Sequence, residues 1–446
     1  MSSTIPLCDP VACVAAGCDA VVCTGKGVPS NDRLFERTTR AIPGGVNSSI
    51  RAFKAVGGRP YVVARGEGAH VYDVEGRRYI DLVQSYGAVI LGHAHPTITT
   101  ALAKAAVDGT SFGAPTPREM KLAEAISERV PSCERVRLMN SGTEATSTVV
   151  RLARGLTGRK KIIIFDGNFH GATDALLAAG GSGVATLGLP GTAGVPEEAV
   201  ANTIVAPYNV VPEIDDTVAA VIVEPVAANM GVVAPVPGFL EGLRAACDRV
   251  GALLVFDEVI TGFRLGAGGA QGRFGVRPDL TCFGKVIGGG LPIGAVGGRR
   301  DIMETLSPLG KVFHAGTLAG NPMATAAGLA ALSELTADAY ATIESRAARL
   351  VSIIRDSMGT SATVSHVGTL VGVHLGDALG GRNPVNFAEA KTTDEPAYAK
   401  LFHALLNEGV ALAPGAYEAL FVGLSHDDSV MDELGERFQR AVATIR

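Results

Sequence analysis

Tryptophan is absent, aromatic residues make up only 5% of the 446, and charged residues only 19%. So few aromatics, set against 56 glycines, suit an α/β protein with many glycine-rich strand–helix turns rather than a β-sandwich. Positive charge is not in excess either. The formal net charge is −5 and no region reads as a basic stripe, which removes nucleic acid as a main partner. No uninterrupted apolar run reaches about 18 residues, so no membrane span is expected. The first basic residue is Lys26, and Asp9 and Asp19 interrupt the apolar start, so the basic opening of a secretory signal is missing. These absences predict a soluble, cytoplasmic protein. Disorder is excluded by what is present, since 47% hydrophobic residues can bury a large core.

Close cysteine pairs of the C-x-x-C type are also missing. Of seven cysteines, Cys8, Cys13, Cys18 and Cys23 recur every five residues, while Cys133, Cys247 and Cys282 are scattered. An odd count argues against a complete disulfide framework and fits a reducing compartment. Four regularly spaced thiols could hold zinc or an iron–sulfur cluster, but without close pairs residues 1–30 read as a poorly ordered leader that holds no metal. His93 and His95 stand two apart with no third ligand motif, and read as turn hydrogen-bonders.

Organised sequence begins near Asn31. Residues 31–75 form an N-terminal segment with strand-like runs at Tyr61–Ala64 and His70–Val74. Residues 76–335 read as a large domain, because from about 97 onward strands alternate with helices as in a parallel sheet with crossover helices. Val136–Met139, Lys161–Phe165, Ala219–Val223 and Ala252–Phe256 are the clear strands, the last two apolar throughout as for strands buried on both faces. A helix is expected after Asn321-Pro322, with the asparagine as its cap. Residues 336–446 read as a smaller C-terminal domain with a helix over Pro396–Glu408, whose Tyr398, Leu401, Phe402 and Leu405 share one face. The small, flexible stretch Ala178–Val195 reads as a long mobile loop.

Three segments carry chemistry. Asn140-Ser-Gly-Thr-Glu-Ala145 follows a strand and opens a helix, where free N–H groups, a glycine and two hydroxyls can cradle a phosphate. The same residues serve equally as an ordinary helix cap. Asp257, at the end of an apolar strand, is either a solvated carboxylate or a partner for a cation or ring nitrogen. Lys285, between apolar residues and a glycine run, is either snorkelling or desolvated, and a desolvated amine is a nucleophile for Schiff-base chemistry. A phosphate cradle, a strand-end carboxylate and a nucleophilic lysine are together what pyridoxal phosphate requires. Phe169, in Asn168-Phe-His-Gly171, can stack on such a ring or sit in a core.

The motifs Ser141-Gly-Thr-Glu-Ala145, Phe169-His-Gly171, Asp257-Glu-Val259, Thr261-Gly-Phe-Arg264 and Gly284-Lys285 resemble those of the class III, fold type I, pyridoxal-phosphate aminotransferases. Ile42-Pro-Gly-Gly-Val-Asn-Ser48, Leu91-Gly-His-Ala-His-Pro96, Gly181–Pro190 and Asn229-Met-Gly-Val-Val233 are similar to the glutamate-1-semialdehyde aminomutase branch of that family. The resemblance spans residue 31 to the C-terminus. It implies a large domain with a mostly parallel central sheet flanked by helices, and a smaller α/β domain built from the N- and C-terminal segments. It implies an internal amino exchange that converts glutamate-1-semialdehyde to 5-aminolevulinate through 4,5-diaminovalerate, using pyridoxal 5'-phosphate and its pyridoxamine form in tetrapyrrole synthesis.

Carried onto this chain, the resemblance makes Lys285 the covalent anchor and proton carrier and Asp257 the partner of the ring nitrogen. Ser141, Gly142 and Thr143 would hold the phosphate. Thr317 would serve the phosphate site of a second subunit, which implies a homodimer. His170 and Asn229 would lie beside the ring. Ser48 and Arg51 would receive the substrate carboxylate, Glu418 would discourage ordinary amino-acid donors, and Ser182 would lie on a closing loop. An arginine in an otherwise uncharged, turn-rich segment suits bidentate carboxylate binding, though a surface arginine reads the same way. The chain departs from the family at Tyr86, usually Trp, and at Ser49, Phe169, Ala172 and His314. These departures bear on the choice of substrate and leave the cofactor set untouched. Two other readings remain open: an aminotransferase with a separate amino donor and another carbonyl substrate such as an amino sugar, and a non-catalytic ligand-binding protein.

Overall fold

The computed structural model describes residues 30–178 and 192–446. Cys8, Cys13, Cys18, Cys23 and Ser182, with most of the expected loop over Ala178–Val195, lie outside the described residues. Among the described residues fourteen strands make three sheets. An antiparallel meander of β1 (Val63–Glu67), β2 (His70–Asp73) and β3 (Arg78–Asp81) opens the chain. The large sheet follows, with β4 (Arg135–Met139), β5 (Lys161–Phe165), β6 (Thr203–Ala206), β7 (Val218–Val223), β8 (Leu253–Asp257), β9 (Leu280–Gly284) and β10 (Gly294–Gly298). Its spatial order is β4-β10-β9-β8-β7-β5-β6. Last come β11 (Ala362–Val367), β12 (Leu370–Leu375), β13 (Val410–Ala411) and β14 (Leu420–Phe421). Strand β13 pairs in parallel with β3, so the N- and C-terminal segments share one sheet.

The large sheet is parallel as expected except for β10, which runs antiparallel to both β9 and β4. The physical reason is the short link 285–293. A parallel return needs a crossover of about a dozen residues or more, which this link cannot supply. The link also lets β10 begin at the edge where the parallel strands end, and Gly294 makes the fit possible, since a Cβ there would lie 2.1 Å from the Ser141 carbonyl oxygen.

Alternation explains why the central strands read as continuous apolar runs. Ile163, Phe165, Val221, Val223, Leu254 and Phe256 enter one core with the helix Phe239–Val250. Ile162, Ile164, Ala220, Ile222, Leu253 and Val255 enter a second core on the opposite face, with the helix Gly142–Thr157. Each fully buried Val, Leu, Ile or Phe contributes about 1.5–3 kcal/mol, so the sheet is the rigid part of the molecule. The third and largest core joins the helix Pro322–Glu334 to the C-terminal helices Ala337–Met358, Glu395–Asn407 and Asp428–Ala443. Asn321 caps the first of these as expected, accepting from the Ala324 N–H at 2.9 Å. Tyr398, Leu401, Phe402 and Leu405 are the buried face of the helix Glu395–Asn407, as their spacing implied.

Two local expectations shift. The first strand starts at Val63 rather than Tyr61, whose ring stacks on Tyr79 with centroids 4.8 Å apart. A helix over Asn31–Ala41 escapes the sequence reading, and it buries none of its side chains. Among the described residues no helix is long and apolar enough to cross a membrane. The described cysteines, Cys133, Cys247 and Cys282, are free and buried.

One charged group joins the large sheet's loops to the C-terminal unit. Arg264 is fully buried and donates to the Gly87 carbonyl (Nη2, 2.8 Å; Nε, 3.3 Å) and the Val422 carbonyl (Nη1, 3.3 Å). Burial pulls its pKa down to about 9.

Candidate active site

In open α/β sheets ligands gather outside the carboxyl ends of the strands, and the residues of interest come from those ends here. Strand β4 leads into Asn140–Thr143, β5 into Phe169–Gly171, β7 into Glu224 and β9 into Lys285, while Asp257 ends β8. They line a single cavity of about 320 Å³, together with Thr146, Asn229, Val259, Ile260 and Leu291–Ile293. Eight sequence-derived candidates meet there: Ser141, Gly142, Thr143, Phe169, His170, Asn229, Asp257 and Lys285.

The phosphate-like end is the start of the helix Gly142–Thr157. Ser141 is its N-cap, accepting from the Glu144 N–H at 3.2 Å, so the cap reading holds in the structure and the cradle reading is compatible with it. The Glu144 carboxylate reaches back to the Asn140 N–H at 2.9 Å, which fixes the turn. Val259 packs between this turn and the lysine turn. Its methyl groups would be 3.0 Å from a Cβ at Gly142 and 3.2 Å from one at Gly284. Thr143 is reached closely by the turn 168–171, where Gly171 has φ +82° and a Cβ would fall 2.5 Å from Thr143 Oγ1.

The opposite end is a buried acid–imidazole pair. Asp257 Oδ1 accepts from the Val259 N–H at 3.1 Å, and Oδ2 lies 2.7 Å from His170 Nδ1. Because a carboxylate only accepts, Nδ1 carries the hydrogen, and the buried Nε2 is left without a protein partner. Thr146 Oγ1 donates to the His170 carbonyl at 2.7 Å, tying this pair to the helix Gly142–Thr157. Phe169 keeps 41% of its surface exposed, so it offers a ring face to the cavity instead of filling a core.

Lys285 follows β9 with φ +48°, a left-handed conformation that an L residue adopts only when its surroundings impose it. Burial lowers the pKa of its amine, opposed by the negative charges of Asp257, Glu224 and Glu418. A buried amine, a helix terminus with free N–H groups and a strand-end carboxylate around one cavity fit a ligand with an aldehyde, a phosphate and a basic ring nitrogen. Pyridoxal phosphate has these three groups.

The remaining candidates lie elsewhere. Arg51 and Tyr86 line a second cavity of about 530 Å³ with Phe35, Asp81 and His93. Arg51 sits in the short turn Ser49–Ala52 and is exposed. Ser48 precedes that turn, is half-buried and lines neither cavity. Glu418 is felt by both sites, since its charge raises the pKa of Lys285 and of the Tyr86 hydroxyl. Thr317 is exposed and lines a separate cleft with Phe112 and Ala319. Ala172 and His314 share a depression with Thr143 and Glu144. His93 Nε2 lies 2.7 Å from Asp81 Oδ2, and among the described residues no group of His, Cys, Asp and Glu could hold a metal ion.

Glu224 escapes the sequence reading. It is buried at the end of β7 and its carboxylate accepts from the Phe169 N–H (2.7 Å), the Ala228 N–H (3.2 Å) and Asn229 Nδ2 (3.0 Å to each oxygen). Burial raises its pKa to about 7. The strand-end rule that singles out Asp257 applies equally to Glu224, which follows the apolar run Val218–Val223. Thr146 and Ile260 carry no such signal.

The sequence matches the family description Aminotransferase class-III over residues 53–442. It is 48% identical over 427 residues to a glutamate-1-semialdehyde 2,1-aminomutase of Bordetella avium, covering 93% of this chain and 99% of that protein. The same enzyme of Aquifex aeolicus is 48% identical over 426 residues, covering 93% and 100%. Among solved structures, an omega-transaminase from Sphaerobacter thermophilus superposes with a TM-score of 0.81 at 32% identity, covering 94% and 98%. A Pseudomonas aeruginosa glutamate-1-semialdehyde aminomutase variant in complex with PMP superposes with a TM-score of 0.82 at 26% identity, covering 93% and 94%.

Proposed function

Because the chain belongs to the class-III aminotransferase family, we propose that it is a pyridoxal-phosphate-dependent aminomutase that converts glutamate-1-semialdehyde to 5-aminolevulinate. The exchange is internal and passes through 4,5-diaminovalerate. The observation that carries this reading is the convergence of Lys285, Asp257 and Ser141–Thr143 on one cavity, in a chain 48% identical over almost its whole length to proteins of that name. When bound, pyridoxal phosphate supplies the electron sink that makes a Cα–H acidic, and its pyridoxamine form carries the amino group.

The chain's own residues do the rest. Ser141, Gly142 and Thr143 hold the phosphate with N–H groups and hydroxyls at the helix terminus. Asp257, oriented by His170 and the Val259 N–H, faces the ring nitrogen and keeps a proton there. Phe169 offers a face for stacking, and Asn229 a polar edge. Lys285 would anchor the cofactor through its amine and would carry the proton between a substrate carbon and the cofactor. Arg51 receives the substrate carboxylate across the second cavity, with Ser48 and Tyr86 beside it. The negative charge of Glu418, felt at Lys285 and at Tyr86, disfavours a second carboxylate and so the ordinary amino-acid donors. Ser182 belongs to the segment that would retain the diamine between half-reactions.

We read the assembly as a homodimer. What supports this reading is that Thr317 is exposed and does not line the Lys285 cavity, while Phe112 in the same cleft and Phe313 are 51% and 68% exposed. Cytoplasmic residence accords with the buried free cysteines.

The deciding experiment is turnover of glutamate-1-semialdehyde without any added amino donor. The aminomutase forms 5-aminolevulinate under those conditions. A requirement for glutamate or alanine overturns the assignment in favour of an external-donor aminotransferase, the reading that Tyr86 in the Arg51 cavity favours.

A further inference from the structure

The cavity around Arg51 has one wall whose backbone is held against its own preference. Gln84, Ser85 and Tyr86 are successive non-glycine residues with positive φ, a conformation that L side chains adopt only when their surroundings impose it. Two buried polar groups impose it, one at each end. At the start, Asp81 ends β3 and is 4% exposed. Its Oδ1 accepts from the Val83 N–H at 2.8 Å and the Gln84 N–H at 3.1 Å, and its Oδ2 lies 2.7 Å from His93 Nε2. The His93 ring is itself wedged against Gly66 of β1, where a Cβ would fall 2.7 Å from the ring's Cγ. At the far end, the Gly87 carbonyl accepts from Nη2 and Nε of the buried Arg264. Gly87 has no room for a side chain, since a Cβ there would lie 2.7 Å from the Phe421 ring. Between these fixed ends Tyr86 is half-buried, lines the cavity with Arg51, Asp81 and His93, and feels the charges of Glu418 and Arg51.

We propose that Asp81 is a positioning residue for substrate binding: it fixes the turn that carries Tyr86, and so fixes where that ring stands in the Arg51 cavity. Strain of this kind persists only where the surrounding structure over-determines it, and two backbone N–H groups sharing one carboxylate oxygen do so. Without that acceptor the two N–H groups turn outward to find water, and residues 84–86 relax toward ordinary backbone with negative φ. The Tyr86 ring then leaves its place, and a substrate carboxylate held by Arg51 loses the wall beside it. Asp81 does not line the Lys285 cavity, so the chemistry there stays intact. This inference rests on the reading of the Arg51 cavity as the place that receives the substrate carboxylate.

The test joins a local reporter to kinetics. The chain contains no tryptophan, so Tyr86→Trp supplies a single fluorophore on the turn itself. In that background, quenching of the holoenzyme's emission by acrylamide reads the exposure of residue 86. Asp81→Ala is expected to raise the quenching constant about twofold, as a half-buried ring becomes free. With Tyr86 in place, Asp81→Ala is expected to raise KM for glutamate-1-semialdehyde about tenfold, with kcat within about twofold of wild type. Asp81→Asn keeps one oxygen that can accept both N–H groups, and is expected to restore both readouts. The cofactor's absorbance and the thermal midpoint check that each variant is loaded and folded. A folded Asp81→Ala enzyme in which either KM or quenching is unchanged overturns the proposal, and so does failure of Asp81→Asn to restore them. Should Asp81→Ala not fold, Ser85→Pro breaks the same turn at an exposed position, because proline cannot adopt a positive φ. Unchanged KM and quenching in that variant overturn the proposal instead. If the wild-type protein does not turn over the semialdehyde without an amino donor, the aminomutase reading falls separately, and the quenching comparison still decides whether Asp81 holds the turn.

Discussion

The two cavities are built on different principles. The one around Lys285 is assembled at the carboxyl edge of a sheet whose strands are buried on both faces, and its polar groups are held by neighbours at fixed distances. The one around Arg51 is lined by the helix Asn31–Ala41, by β1, β2 and β3 and by the turns that carry Arg51 and Tyr86. Gln84, Ser85 and Tyr86 are three successive non-glycine residues with positive φ, at 47°, 51° and 55°, and Phe53 closes the Arg51 turn at 56°. The first cavity is a preorganised site for a group that stays. The second is a surface shaped by local strain, suited to a molecule that enters and leaves. On the function proposed above, chemistry belongs to the rigid cavity and selectivity to the strained one.

The sharpest test of that division is removal of the amine. Lys285→Ala is expected to reduce turnover by more than about 10⁴-fold, since nucleophile and proton carrier are lost together, while the apoprotein's thermal midpoint is retained. Turnover near the wild-type rate would place the chemistry elsewhere. Because burial lowers the Lys285 pKa, its neutral form persists to lower pH than an ordinary lysine's. The rate at which apoprotein captures pyridoxal phosphate should therefore rise with pH through a midpoint below that of a free lysine side chain. A midpoint at or above that value would mean that the amine is not desolvated.

A smaller effect is expected in the second cavity. Arg51→Lys keeps the charge but loses the two-pronged grip on a carboxylate, and KM is expected to rise about tenfold with the cofactor's absorbance unchanged. A change in that absorbance would show that the cavities are not separable. The smallest effect is expected from Tyr86→Phe, which removes only a hydroxyl. KM is expected to change by less than about fivefold. A large fall in kcat instead would give Tyr86 a part in the chemistry.

The same contrast decides what can be read before coordinates exist. Lys161–Phe165 and the apolar runs before Glu224 and Asp257 announce a buried parallel sheet, and the rule about strand ends leads directly to Asp257 and Lys285. The reversal of β10 is not announced by any residue type, because it follows from the brevity of the link 285–293. Glu224 was legible by the Asp257 argument. Arg51, Tyr86 and Glu418 are not legible from periodicity at all. They come from separate segments joined by left-handed turns, and only likeness to a family brings them together.

The fully buried Arg264 limits how such a molecule can breathe. Its guanidinium is satisfied by carbonyl oxygens of Gly87 and Val422, with no carboxylate among its hydrogen-bond partners. Swinging the C-terminal unit away from the sheet would break a charge-assisted hydrogen bond to one of those oxygens, at a cost of about 1.5–3 kcal/mol. A wide jaw-like gape between the two units is thus disfavoured, and traffic to Lys285 has to pass by smaller rearrangements of the cavity's own rim.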